Sequence, residues 1–399
     1  MFRRDKPRGA TRIAIALSWM LLYGVLAGEY GGHTASVVAA GRQDVQIGVL
    51  GLFHPRELGL EAIAGSPLVV ELGSESRVLK DNDGVVSLVE SAGYIELRFV
   101  SDETARRTPM RGERLTVGAL SGGDACFWLQ VTGKITGRLR RRYQGTLEVA
   151  VKAHVLQAVV TMPLETAVAS IVMAESPPGA GLEALKAQAV ASRSFLAARQ
   201  SGHLDFDFCD TTHCQFMRSP PEETNPAWKA ALETTGLVMA YRTDAGQGEA
   251  TDQPIAAMYS RSCGGRTRTL REIGMRSNGG YPYYAVRCTY CLRHPERWTR
   301  APGAHASTER ERMAWNRVHG WGAIPGLPED TDKILEGAQR ISGRGIGHGL
   351  GLCQLGAADM ARHGAGFAEI LMHYYPNTML ASISDIHVEH SKHGRAATR

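Results

Sequence analysis

The stretch Ile171–Phe195 reads IVMAESPPGAGLEALKAQAVASRSF and sets one acidic residue, Glu175, at the end of an apolar run. With Leu164–Glu175 as a helix, Leu164, Val168, Ile171 and Val172 fall on one face. Glu175 follows Ile171 by four residues and Val172 by three, so it extends that face, whereas Glu165 points elsewhere. It also occupies the last helical turn, where the negative end of the dipole disfavours another anion. Partial burial raises a carboxyl pKa in the same direction. Pro177 and Pro178 stop the helix and turn the chain. A protonated carboxylic acid at the lip of a groove is the form a general acid needs. The same pattern also fits a glutamate held in a local ion pair at a helix end.

The next helix carries Glu183, Lys186, Val190 and Arg193 at steps of three, four and three, which puts them on one face. Lys186 and Arg193 facing the groove of Glu175 would hold anionic or hydroxyl-rich groups. A solvated helix face is the other reading. Further on, GRGIGHGLGLCQLG lacks the Lys-Ser/Thr ending of a phosphate-binding loop, and its glycines recur at every second residue. Such backbone packs closely against a ligand or another segment, with His348 and Gln354 as its polar groups.

Seven cysteines are present. HLDFDFCDTTHCQF offers His203, Cys209, His213 and Cys214, CTYC adds Cys288 and Cys291, and Cys263 stands in SCGG. Zinc accepts such ligands, although the spacing fits no standard finger, and disulfides compete in an oxidising compartment. A Cys–His hydrolase is a third reading, but no oxyanion device is recognisable beside Cys214.

The elements that must position these groups follow from pattern and composition. The chain has 399 residues, 43% of them hydrophobic and 21% charged, enough for two domains. Its net charge of +5 suits an anionic partner, though ordinary surface lysines and arginines account for it as well, and no nucleic-acid partner is expected. A basic start, MFRRDKPRGATR, precedes the apolar run IAIALSWMLLYGVLA, so residues 1–40 read as a signal peptide or retained anchor. Either places the remainder outside the cytoplasm, with membrane contact only through a retained anchor. Residues 41–145 read as a β-rich accessory domain of short Val-, Ile- and Leu-rich strands, with RLRRRYQG at the junction. Residues 146–385 mix helices with short strands, and 386–399 form a polar tail. The fold class expected is α+β.

LETAVASIVMAESPPGAGLEALKAQAVASRSF, CQF, AALETTGLVMAY, MYSRSCGGRT, CTYC and GRGIGHGLGLCQLGAADMARHGAGFAEILMHYYPNT together resemble the stage II sporulation protein D (SpoIID/LytB, amidase-enhancer) family. The resemblance implies a mixed α/β core and, in members that are enzymes, lytic cleavage of the MurNAc–GlcNAc bond of peptidoglycan. It puts the catalytic glutamate at Glu175 and substrate contacts at Arg193, Tyr259 and Arg261. It implies a structural zinc on His203, Cys209 and Cys214, with no cofactor required for the chemistry. Phe216 and Met217 replace the usual tyrosine after CQ, a change at an expected substrate subsite. The implied partners are glycan strands, with a cell-wall amidase as the partner of a non-catalytic alternative.

Overall fold

Alternating apolar residues build the first half of the protein. In the strands Glu57–Ala62, Val86–Ser91 and Tyr94–Arg98, every second side chain is buried. That period of two gives each strand one face for a core and one for solvent. The computed structural model describes residues 43–99, 108–133, 137–198, 203–243, 251–273, 280–300 and 341–386. The expected export segment and all but the first residue of the polar tail lie outside these. Among the described residues, no helix is long and apolar enough to cross a membrane.

The strands form a 12-stranded, almost wholly antiparallel sheet. Its organiser is the 16-residue strand Gly137–Lys152. Residues 137–145 of this strand pair with Ala125–Gly133, and residues 146–152 pair with Val155–Pro163. Leu147 to Ala150 also meet Arg114–Ala119 on the other edge. Gly145 stands where the partners change, with φ at 129°. The expected boundary at residue 145 is therefore a bend inside one strand. The sheet continues to Pro163, and one hydrophobic core joins it to the helices that follow.

Six helices are described: α1 (Leu164–Glu175), α2 (Leu182–Ala197), α3 (Pro226–Glu233), α4 (Thr289–Arg293), α5 (Gln354–Arg362) and α6 (Phe367–Tyr374). Helix α1 is not a surface helix with one apolar stripe. Leu164 and every residue from Thr166 to Val172 are buried, so the helix is enclosed on nearly all sides. Alanines at 184, 187, 189 and 191 let α2 pack closely inside the same region. Helix α3 starts on Asn225, whose side chain accepts from the Ala227 amide at 2.9 Å, with Pro226 at the first position.

The second half of the protein has its own core. It includes a three-stranded sheet of Thr251–Pro254, Leu237–Thr243 and Met379–Ser382. Beside it, Tyr259–Ser260 pairs in parallel with Leu352–Cys353, which leads directly into α5. The α+β expectation holds: a large antiparallel sheet is followed by helices and short strands.

A Cβ added to Gly145 would lie 2.1 Å from the Thr161 carbonyl oxygen, on a backbone that L residues rarely adopt. Gly145→Ala should lose about 1–3 kcal/mol of stability in urea denaturation. An unchanged midpoint would show that the bend tolerates a side chain.

Candidate active site

Glu175 is the last residue of α1, and Ser176 caps the helix with its amide on the Val172 carbonyl at 3.1 Å. The carboxyl turns into the protein. Its Oε1 accepts the Phe216 amide at 2.7 Å, and the Tyr259 hydroxyl interacts with the same group. Burial pushes the Glu175 carboxyl up to about 7, outweighing the two hydrogen bonds, which act downward. Among the described residues no second acidic group contributes to this shift. The reading of a local ion pair at the helix end is not what the structure contains.

A buried polar network fixes the surroundings of that carboxyl. The Tyr259 hydroxyl donates to Gln215 Oε1 at 2.9 Å, and Gln215 Nε2 donates to the Ser192 carbonyl at 3.1 Å. Gln188 Nε2 meets Ser192 Oγ at 3.2 Å. Gln354 Nε2 donates both to the Glu175 carbonyl at 3.0 Å and to Gln188 Oε1 at 3.2 Å. Gln188, Ser192, Gln215 and Gln354 are all buried, so each needs a partner in place of water. Burial, with the Glu175 carboxyl alongside, keeps the Tyr259 phenol protonated far above its ordinary range. A protonated Glu175 can thus donate to the Tyr259 oxygen while Tyr259 donates to Gln215.

The Phe216 amide is held in place from the opposite half of the molecule. Arg141, in the basic patch of the long strand, pairs with buried Asp210 at 3.0 Å and donates to the Met217 carbonyl at 3.3 Å. Asp210 also accepts the Leu50 amide at 3.2 Å. Burial raises the Asp210 carboxyl to about 6 against the pull of Arg141. The β-rich region thus clamps both sides of the turn that presents the amide to Glu175.

The other expected contacts divide. Tyr259 and Gln354 lie at the site, as described. Arg261 follows Tyr259 by two residues, is half-exposed, and pairs with Glu296 at 3.1 Å. His348 stands in the glycine-rich loop, where Nδ1 accepts the Leu350 amide at 3.0 Å. Burial lowers its pKa to about 4, so the ring is neutral, and its other nitrogen serves the Tyr259 carbonyl. The glycines pack this loop on another segment: a Cβ on Gly351 would sit 2.1 Å from the Met258 carbonyl oxygen.

Lys186 and Arg193 do not face Glu175. Lys186 bridges Glu183 at 2.8 Å and Glu233 at 2.7 Å. Arg193 is 0% exposed. Its Nε donates to Glu165 at 2.9 Å, and its other nitrogens reach the carbonyls of Ala231 and Leu237, each at 3.0 Å. A guanidinium so enclosed has no surface to offer a ligand, and it ties α1, α2 and α3 together. Helical spacing identified a shared face but not what covers it. Phe216 and Met217 are likewise buried, at 3% and 2%, so their side chains belong to the core and not to a subsite. Gln215, Gln188 and Ser192 escaped the sequence reading. Only the CQF motif pointed toward the first of them.

His203, Cys209 and Cys214 do come together, and His213 joins them, with one ligand atom from each within 4.8 Å of the others. His203 Nε2 is 3.3 Å from Cys214 Sγ, and His213 Nδ1 is 3.5 Å from the same sulfur. Two imidazoles and two thiols form a zinc donor set, one histidine larger than the set expected.

Comparison with known proteins gives a match to the SpoIID family model, described as Stage II sporulation protein, over residues 152–241. That span holds Glu175, α2 and the His/Cys cluster. An uncharacterized protein of Brachyspira hyodysenteriae is 26% identical over 286 residues, covering 62% of this chain and 74% of that one. Stage II sporulation protein D of Bacillus subtilis is 23% identical over 266 residues, 56% of this chain and 76% of the relative. The amidase enhancer of Bacillus subtilis is 50% identical over 56 residues, 14% of this chain and 7% of that protein. The resemblance read from the sequence is therefore found by comparison as well.

Two stability measurements follow from the geometry. Arg193→Ala leaves Glu165 without its buried partner and should cost about 3–5 kcal/mol in denaturant unfolding. Unchanged stability would show that Arg193 does not tie these helices together. For Glu175, a folded pKa near 7 exceeds the ordinary value of 4.5. The native state therefore prefers the protonated form, and its penalty grows as pH rises from the lower value through the upper. Glu175→Gln should be more stable than wild type above pH about 7 and close to it near pH 4 in thermal scans. Equal stability at both pH values would mean an unshifted carboxyl.

Proposed function

From the premise of a chain with a SpoIID-family segment around Glu175, we propose a peptidoglycan lytic transglycosylase with Glu175 as its single general acid and base. The observation that carries this reading is the part-buried Glu175 carboxyl, raised to about 7, oriented by the Phe216 amide and, among the described residues, shifted by no second acid. An acid with that pKa is largely protonated below neutrality and can still ionise during turnover. Glycosidases that use water as nucleophile generally need two carboxylates. Transfer to the sugar's own hydroxyl needs only one.

Protonated Glu175 gives its proton to the oxygen bridging MurNAc and GlcNAc as the C1–O bond breaks. The resulting carboxylate then accepts the proton of the MurNAc C6 hydroxyl while that oxygen bonds to C1. The products are a free GlcNAc hydroxyl and a 1,6-anhydro-MurNAc end, and Glu175 is again protonated. Tyr259 and Gln354 hold the carboxyl and its backbone in register, and half-exposed Arg261 contacts the glycan. His203, Cys209, His213 and Cys214 would hold a structural zinc, which would take no part in the steps above. Export by the N-terminal segment places the enzyme with its substrate.

A second reading rests on the 56-residue stretch that is 50% identical to an amidase enhancer. In that case the chain binds glycan and stimulates a cell-wall amidase. Mass spectrometry of purified glycan strands, intact and peptide-stripped, separates the two. The enzyme releases anhydro-terminated fragments, and Glu175→Gln reduces release by about 100-fold or more while still folding. Activity should also fall as pH rises through about 7, as the acid ionises. Full activity in the Gln variant would remove Glu175 from the chemistry. An inert wild type that accelerates an added amidase would establish the second reading.

A further inference from the structure

We infer that Cys263, Cys288, Cys291 and Cys353 form a separate structural zinc site that locks the Tyr259 strand to helix α5. All four are buried, between 0% and 7% exposed, and their sulfurs lie within 4.8 Å of one another. Cys291 and Cys353 sulfurs are 3.5 Å apart. Tetrahedral zinc–thiolate bonds of about 2.3 Å place neighbouring sulfurs about 3.8 Å apart. Disulfide bonding requires only that sulfurs meet in pairs. Here four converge on one point from three segments distant in sequence.

Hydroxyl groups stand beside two of the four sulfurs. Tyr374 donates its hydroxyl to Cys288 Sγ at 3.5 Å, and Ser262 Oγ stands 3.5 Å from Cys291 Sγ. Cys353 occupies the N-cap position of α5, at the positive end of that helix, and its side chain makes no capping hydrogen bond. Close approach is built in at Gly356, where a Cβ would sit 2.6 Å from Cys288 Sγ and 2.0 Å from the Tyr374 hydroxyl. Binding would exchange four thiol protons for one zinc ion, leaving a doubly negative centre that these donors offset.

The position gives the site a role. Cys263 lies four residues beyond Tyr259, and Cys353 immediately precedes Gln354. Tyr259 and Leu352 are themselves paired across the short parallel sheet. Zinc here would fix the two segments that hold the Glu175 carboxyl and backbone, a positioning role and not a catalytic one. It does not depend on the reaction proposed above.

Elemental analysis and native mass spectrometry of full-length protein purified without added metal test the proposal. Cys291→Ser should lose a zinc ion that Cys209→Ser/Cys214→Ser retains. If Cys291→Ser does not fold, cobalt loaded into the Cys209→Ser/Cys214→Ser protein gives the answer. An all-thiolate tetrahedral cobalt spectrum is expected, and its absence overturns the site. Iron in place of zinc, or a disulfide among these four cysteines in a non-reducing peptide map, would also overturn it.

Discussion

The structure turns on one unfavourable placement: a carboxyl drawn partly out of water at the negative end of an enclosed helix. Ionising Glu175 there is costly because water is replaced by Phe216, Tyr259 and the end of α1. Two hydrogen bonds favour the anion, but they do not outweigh burial. The balance leaves an acid near 7, which is strong enough to give a proton and weak enough to take one back.

Holding that balance requires contributions from both halves of the molecule. The β-rich region supplies Arg141, whose pairing with Asp210 secures the turn bearing the Phe216 amide. The helical half supplies Gln188 and Ser192 from α2 and Gln354 from the start of α5. Arg193 and Glu165 hold α1 against α2 and α3, so the helix ending in Glu175 cannot tilt without breaking a buried ion pair. A connected network of this kind is rigid, because displacing a member leaves a buried polar group without its partner.

Much of this was legible in the sequence where the signal was local. The apolar spacing from Leu164 to Val172 and the double proline fixed both α1 and the exceptional position of Glu175. The glycine-rich run announced close backbone packing, and the cysteine–histidine stretch announced a ligand cluster. What failed depended on distant contacts. Lys186 and Arg193 share a helical face, but Glu233 and Glu165 decide what that face meets. The basic patch before Gly145 lies within one strand, whose change of pairing partners is set by residues far away in the sequence. Gln215 reaches Tyr259 across 44 positions, a separation that no local periodicity reports.

The central claim is the protonation state of Glu175, and it can be observed directly. Protein labelled with carbon-13 at glutamate side-chain carboxyls, compared with Glu175→Gln for assignment, gives the titration of that one group by NMR. The account predicts a midpoint near 7. A midpoint near the ordinary value of 4.5 would contradict it, because the group would then be a solvated carboxylate and no general acid near neutrality.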